Sequence, residues 1–111
     1  MPRKFRPYIA QSLGDLLDQM GFMMLSSPTF LDKTGYFPEQ NLDTTFYVLN
    51  EGLQQLRPKL GDDLYRRFME MSDQMRTYFE ADPDDENGEA AKGRKLIIEM
   101  EDLIRKRGRK S

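Results

Sequence analysis

In four separate stretches of this 111-residue chain, large apolar residues recur every three or four positions. That spacing is the period of one face of an α-helix, and no comparable stretch shows the alternation by two that a half-buried strand needs. The expected fold is all-α: one domain over residues 1–111, a small bundle of about four amphipathic helices with one long loop at 26–41.

The first stripe is Leu13, Leu16, Leu17, Met20 and Met24, in a helix beginning after Pro7. Gly14 and Gly21 weaken it by about 1 kcal/mol each against Ala. Ser26-Ser27-Pro28 ends it, because the residue before a proline is pushed out of the helical region. Leu42, Phe46, Leu49, Leu53 and Leu56 define a second helix over 43–57, with Asn41 or Asp43 as its cap. The rival β-like reading of Phe46–Leu49 is too short to displace that pattern. Pro58, Gly61 and Asp62 mark a turn. Leu64, Phe68, Met71, Met75 and Phe79 make the third stripe, over 62–80, with Asp62 and Asp63 at the positive end of the helix dipole. Leu96, Ile97, Met100, Leu103 and Ile104 form the apolar face of the fourth, over 89–106.

Two connections stand out. Residues 26–41, SSPTFLDKTGYFPEQN, are long for a loop in a compact domain and carry Phe30, Leu31, Tyr36 and Phe37. Such loops either pack back on the core or serve as contact surfaces. Phe30 and Phe37 suit the first role and Tyr36 the second. Residues 80–89, EADPDDENGE, are acidic. They fit no calcium loop of the EF-hand type: counted from Asp82, the sixth position is Asn87 where glycine is required. The expectation is a solvated turn that caps the last helix.

The chain has no Cys and no His. Disulfides, thiolate sites, histidine-based hydrolysis and histidine zinc or di-iron sites are excluded by that alone. Carboxylate pairs remain, at Asp15 with Asp18, Asp62 with Asp63, and Glu99 with Asp102. Their spacing reads as solvated helix face rather than as an acid–base couple in a cleft. Glycine-rich phosphate loops are absent from the sequence. No catalytic residue, cofactor or metal is expected, and the chain is read as a non-enzyme.

Charge is unevenly placed. Basic tails occupy 1–6 and 105–111, with three and five basic residues, and the body between holds 9 basic and 19 acidic groups. Such tails are usually solvated and frayed. The acidic body would steer a basic partner and repel nucleic acid. The basic run Arg105–Lys110 leaves open a weak electrostatic contact of the tails with phosphate, but no aromatic is interleaved, so specific nucleic-acid recognition is not expected. Lys92-Gly93-Arg94-Lys95 is a short basic knot beside the acidic loop. The longest apolar run, Phe22–Leu25, is too short for a signal core or a membrane span, which points to a cytoplasmic protein without membrane contact.

The stretches YFPEQNLDTTFYVLNEGLQQLRPKLGDDLY and EADPDDENGEAAKGRKLIIEMEDLI give this chain a likeness to a known group. It resembles the small acidic helical immunity proteins of bacterial toxin systems, of the contact-dependent-inhibition and polymorphic-toxin types. The resemblance is one of general character, with no motif to carry residue by residue. It implies a stoichiometric inhibitor that binds a cognate toxin domain, such as a basic-surfaced nuclease. From loop and charge, the candidate partner-binding residues are Asp32, Tyr36, Glu39, Asp84, Asp85 and Glu86. The alternative is a helical adaptor or regulatory protein-binding module that self-associates through a methionine-rich surface at Met20, Met23 and Met24.

Overall fold

The computed structural model describes residues 8–31 and 41–109. These form five helices: α1 (Leu13–Ser26), α2 (Leu42–Gln55), α3 (Arg57–Leu60), α4 (Asp62–Ala81) and α5 (Glu89–Arg109). No strand occurs among the described residues, and Phe46–Leu49 lies inside α2. The count exceeds the expected four because the Pro58 turn is itself one helical turn. Pro58 stands in its first positions, where a missing N–H costs nothing, and Gly61 closes it at φ 84°, a conformation that favours glycine.

Local chemistry sets the ends of the longer helices. Ser12 caps α1 by accepting from the Asp15 N–H at 3.0 Å, so the helix starts at Leu13 rather than directly after Pro7. At α2 the cap is Asn41, not Asp43. Asn41 Oδ1 accepts from the Thr44 N–H and Thr44 Oγ1 accepts from the Asn41 N–H, both at 2.9 Å, which satisfies two otherwise orphaned donors. Asp62 and Asp63 occupy the first turn of α4 as the dipole argument requires. α5 carries through to Arg109, so residues 105–109 are the last turns of a helix and not a frayed tail. The tail at 1–6 lies outside the described residues.

The four long helices run up, down, up and down. Antiparallel neighbours are tied by Asp43 to Arg76 and Asn50 to Ser72 between α2 and α4, and by Arg67 to Glu99 between α4 and α5. Arg94 on α5 donates to Ser27 at the end of α1, closing the ring. Leu16, Met20, Phe46, Leu49, Leu53, Phe68, Met75, Phe79, Ile97 and Met100 are fully buried along the shared axis. The stripe of α1 differs by one position from expectation. Met23 is fully buried, whereas Met24 packs at the core's edge. Met20 and Met23 are therefore core residues, and they do not form the exposed methionine surface that the self-associating adaptor needs.

Phe30 packs into one end of this core. It is fully buried and sits edge-on to Phe46 (5.8 Å, 89°) and to Phe79 (5.2 Å, 82°). Its backbone is left-handed at φ 59°, an unusual conformation for an aromatic residue, held because the ring fills the core. Phe30 thus takes the core-packing role, and Phe37 lies outside the described residues. α4 and α5 approach closely beside it: a Cβ on Gly93 would stand 2.7 Å from the Phe79 ring.

Candidate functional site

The end of the bundle where α4 passes into α5 gathers most of the surface features of interest. Its organising group is Asp82, the C-cap of α4, only 1% exposed. Asp82 Oδ1 accepts from the N–H groups of Glu86 (2.7 Å) and Asn87 (3.2 Å), and Oδ2 accepts from the Ala90 N–H (3.0 Å). Burial pushes the Asp82 carboxyl upward in pKa. Hydrogen bonds from the backbone of Ala90, Glu86, Asn87 and Gly88 outweigh that and hold it below its ordinary value. Asn87 completes the turn, donating to the Ala81 carbonyl at 3.1 Å and accepting from the Glu89 N–H at 3.0 Å. The segment caps the last helix as expected. It does so through a buried carboxylate, so it is not simply a solvated turn.

Arg94 ties this loop to the α1–α2 connection. Its guanidinium donates to both oxygens of Asp85, at 3.2 and 2.7 Å, and its Nε donates to Ser27 Oγ at 2.8 Å. The bidentate geometry and partial burial of Arg94 make this more than an ordinary surface pair. Asp85 is thereby neutralised, although it stays exposed. Asp84 and Glu86 are exposed, with no cation in ion-pair range among the described residues. The basic knot of the sequence is thus divided: Arg94 neutralises Asp85, while Lys92 pairs with Glu89 at 2.9 Å and lies 5.8 Å from the Tyr78 ring centroid.

Beside the loop lies a shallow cleft of ≈ 270 Å³. Pro28, Leu31, Leu42 and Pro83 give it apolar walls, and Asp43 and Glu80 stand at its edge. Both of those carboxylates bind Arg76, so two acids share one cation. Leu31 is 55% exposed, an apolar side chain at the edge of an acidic surface. The fold therefore brings the start of the 26–41 connection against the acidic loop, although some fifty residues separate them in sequence. Of the six candidate residues, Asp84, Asp85 and Glu86 lie at this end; Asp32, Tyr36 and Glu39 lie outside the described residues.

Sequence reasoning passed over four residues here: Asp82, Arg94, Asp43 and Glu80. Asp82 carried a faint signal, since Asp-Pro favours turn initiation and a helix start follows. The pairing of Arg94 with Asp85 and Ser27, and the cleft edge at Asp43 and Glu80, depend on helix packing and left no local trace.

At least one member of each carboxylate pair weighed for chemistry is engaged elsewhere. Asp15 accepts from the Tyr8 hydroxyl at 2.6 Å and from the Gln11 N–H. That contact raises the Tyr8 pKa and lowers that of Asp15. Asp62 pairs with Arg57, Glu99 with Arg67, and Asp102 lies 3.7 Å from Arg105. Among the described residues no group of three or more Asp or Glu is placed to hold a metal ion. No described helix is long and apolar enough to cross a membrane. Set against known proteins, the chain matches no family model, no curated protein and no solved structure.

Proposed function

We propose that this chain is a non-enzymatic immunity protein, which neutralises a cognate bacterial toxin in the cytoplasm by forming a stoichiometric complex with it. The observation that carries the binding half of this reading is the acidic end of the bundle. There an apolar cleft with exposed Leu31 sits beside Asp84 and Glu86, whose charges no cation among the described residues neutralises. Apolar contact gives a protein interface its affinity, and surrounding charge of one sign speeds encounter with a partner of the other. The partner that fits is a toxin domain with a basic surface and an apolar side chain to seat between Leu31 and Pro83. The toxin half rests on the resemblance of sequence character to immunity proteins.

The loop also suits the role in its rigidity. Asp82 and Arg94 fix the backbone that presents Asp84 and Glu86, which lowers the ordering cost of binding.

The test is co-expression with the polypeptide encoded beside this chain. The expected result is growth rescue and a 1:1 complex by size-exclusion light scattering, lost on Leu31→Asp or on Asp84→Lys with Glu86→Lys. A neighbouring polypeptide without toxicity, or one that kills equally well with this chain present, overturns the proposal.

A further inference from the structure

The opposite end of the bundle differs in character. α3 and the last turns of α5 meet there, because Arg107 Nε donates to the Lys59 carbonyl at 3.0 Å. Five basic residues gather at this end: Arg57, Lys59, Arg105, Lys106 and Arg107. Arg57 pairs with Asp62 at 2.9 Å, and Arg105 lies 3.7 Å from Glu101 and Asp102. Lys59, Lys106 and Arg107 have no carboxylate in ion-pair range among the described residues. Lys106 and Arg107 line a cavity of ≈ 380 Å³ with Leu103 and the start of α4. Asp63, without an ion-pair partner among the described residues, lines it too and offsets one of the three positive charges. Arg109 and Lys110 extend the basic run in the sequence.

We infer that this basic end contacts the phosphate backbone of nucleic acid without reading its sequence. Two physical arguments carry the inference. The first is distance. The acidic end lies one α4 length away, about 30 Å for its 20 residues. That is more than three Debye lengths of about 8 Å at physiological salt, so the carboxylates of the acidic loop are screened there. Net charge taken from the sequence hides this separation.

The second argument concerns the kind of anion. A protein interface needs an apolar anchor at its centre. Among the described residues the exposed large apolar ones are Tyr8, Phe22, Leu25, Leu31, Tyr47 and Ile98, and none belongs to α3 or to the last turns of α5. Charge without an anchor suits a polyanion backbone, whose affinity comes from counterion release. This inference is independent of the toxin reading, which concerns the other end of the molecule.

The experiment is fluorescence anisotropy of a short labelled duplex DNA titrated with the full chain across a range of salt. Two to three neutralised phosphates give an affinity that falls about 10- to 40-fold between roughly 50 and 200 mM salt. Lys59→Glu with Lys106→Glu keeps Arg107 and its bond to α3, and circular dichroism checks that this variant folds. Its expected behaviour is binding at least tenfold weaker, with a flatter salt slope. An Arg3→Ala, Lys4→Ala, Arg6→Ala variant is expected to bind like the parent. The inference is overturned by absence of binding at low salt, by a flat salt response, or by equal binding of the double variant. It is also overturned if the N-terminal variant loses all binding, or if poly-glutamate binds as tightly as DNA, which would mark the surface as one for acidic protein.

Discussion

Replacing Gly93 by alanine inserts one methyl group where α5 meets α4. In an exposed helix interior that change is favourable by about 1 kcal/mol, because alanine loses less backbone entropy than glycine. Here the new Cβ would lie 2.7 Å from both Cε1 and Cζ of Phe79, against the 3.5–4.0 Å at which carbon atoms pack well. Relief requires a shift of about 1 Å by the ring or by α5. The ring has little room, since Phe30 meets it edge-on at 5.2 Å and Phe46 lies 6.5 Å away. Overpacking of this sort costs about 1–3 kcal/mol, and with a confined ring the upper part of that range applies. The net expectation is a loss of about 2 kcal/mol. Gly21→Ala is the matched control: it adds the same methyl to a helix with nothing within 4 Å, and should gain about 1 kcal/mol. Urea unfolding followed by circular dichroism measures both variants. At roughly 4 °C per kcal/mol, the melting temperatures should separate by about 12 °C. If Gly93→Ala is as stable as the parent, the tight α4–α5 contact and its dependence on glycine are wrong.

Other substitutions probe the elements that build the acidic end. Phe30→Ala empties the space between Phe46 and Phe79 and should cost about 3–5 kcal/mol in urea unfolding; a loss below 1 kcal/mol would show that Phe30 does not fill the core. Arg94→Ala removes the bonds to Asp85 and Ser27 and should cost about 1–3 kcal/mol, and Arg94→Lys should recover only part of it, since lysine cannot make the bidentate pair. Full recovery by lysine would mean that charge alone matters. Asp82 is held below its ordinary pKa, so the unfolded chain takes up its proton first as pH falls. Its stabilising contribution is complete above the unfolded value near 4 and is lost as pH drops through the lower folded value. Asp82→Asn should therefore lower the urea midpoint at pH 7, with the gap to the parent narrowing below pH 4. A gap that stays constant with pH would contradict the assigned role of the carboxylate.

The helices and much of the core were legible because they follow from local periodicity. Phe68, Met71, Met75 and Phe79 recur every three or four residues, and no packing information is needed to place them on one face. Helix ends were less legible. Asn41 and Asp43 are both competent caps, and the choice fell to Asn41 through its reciprocal bonds with Thr44. Met23 and Met24 are adjacent on the helix, and only the packing of the helices decided that Met23 reached the core. Pro58 and Gly61 read only as a turn, because four residues are too few to show the helical period that α3 adopts.

The sequence by itself determined an all-helical chain, without histidine or cysteine chemistry, carrying an acidic surplus between basic ends. Each of these follows from residue type or from neighbours within a few positions. Tertiary structure decided where the charge stands. Up-and-down packing carries the acidic loop and the start of α2 to one end, and joins α3 to the last turns of α5 at the other. It also set Arg94 between Asp85 and Ser27 and drove Phe30 into the core beneath the cleft. A hydrogen bond or ring contact depends on atoms meeting within a few ångströms, and partners 67 residues apart such as Arg94 and Ser27 meet only once the helices have packed.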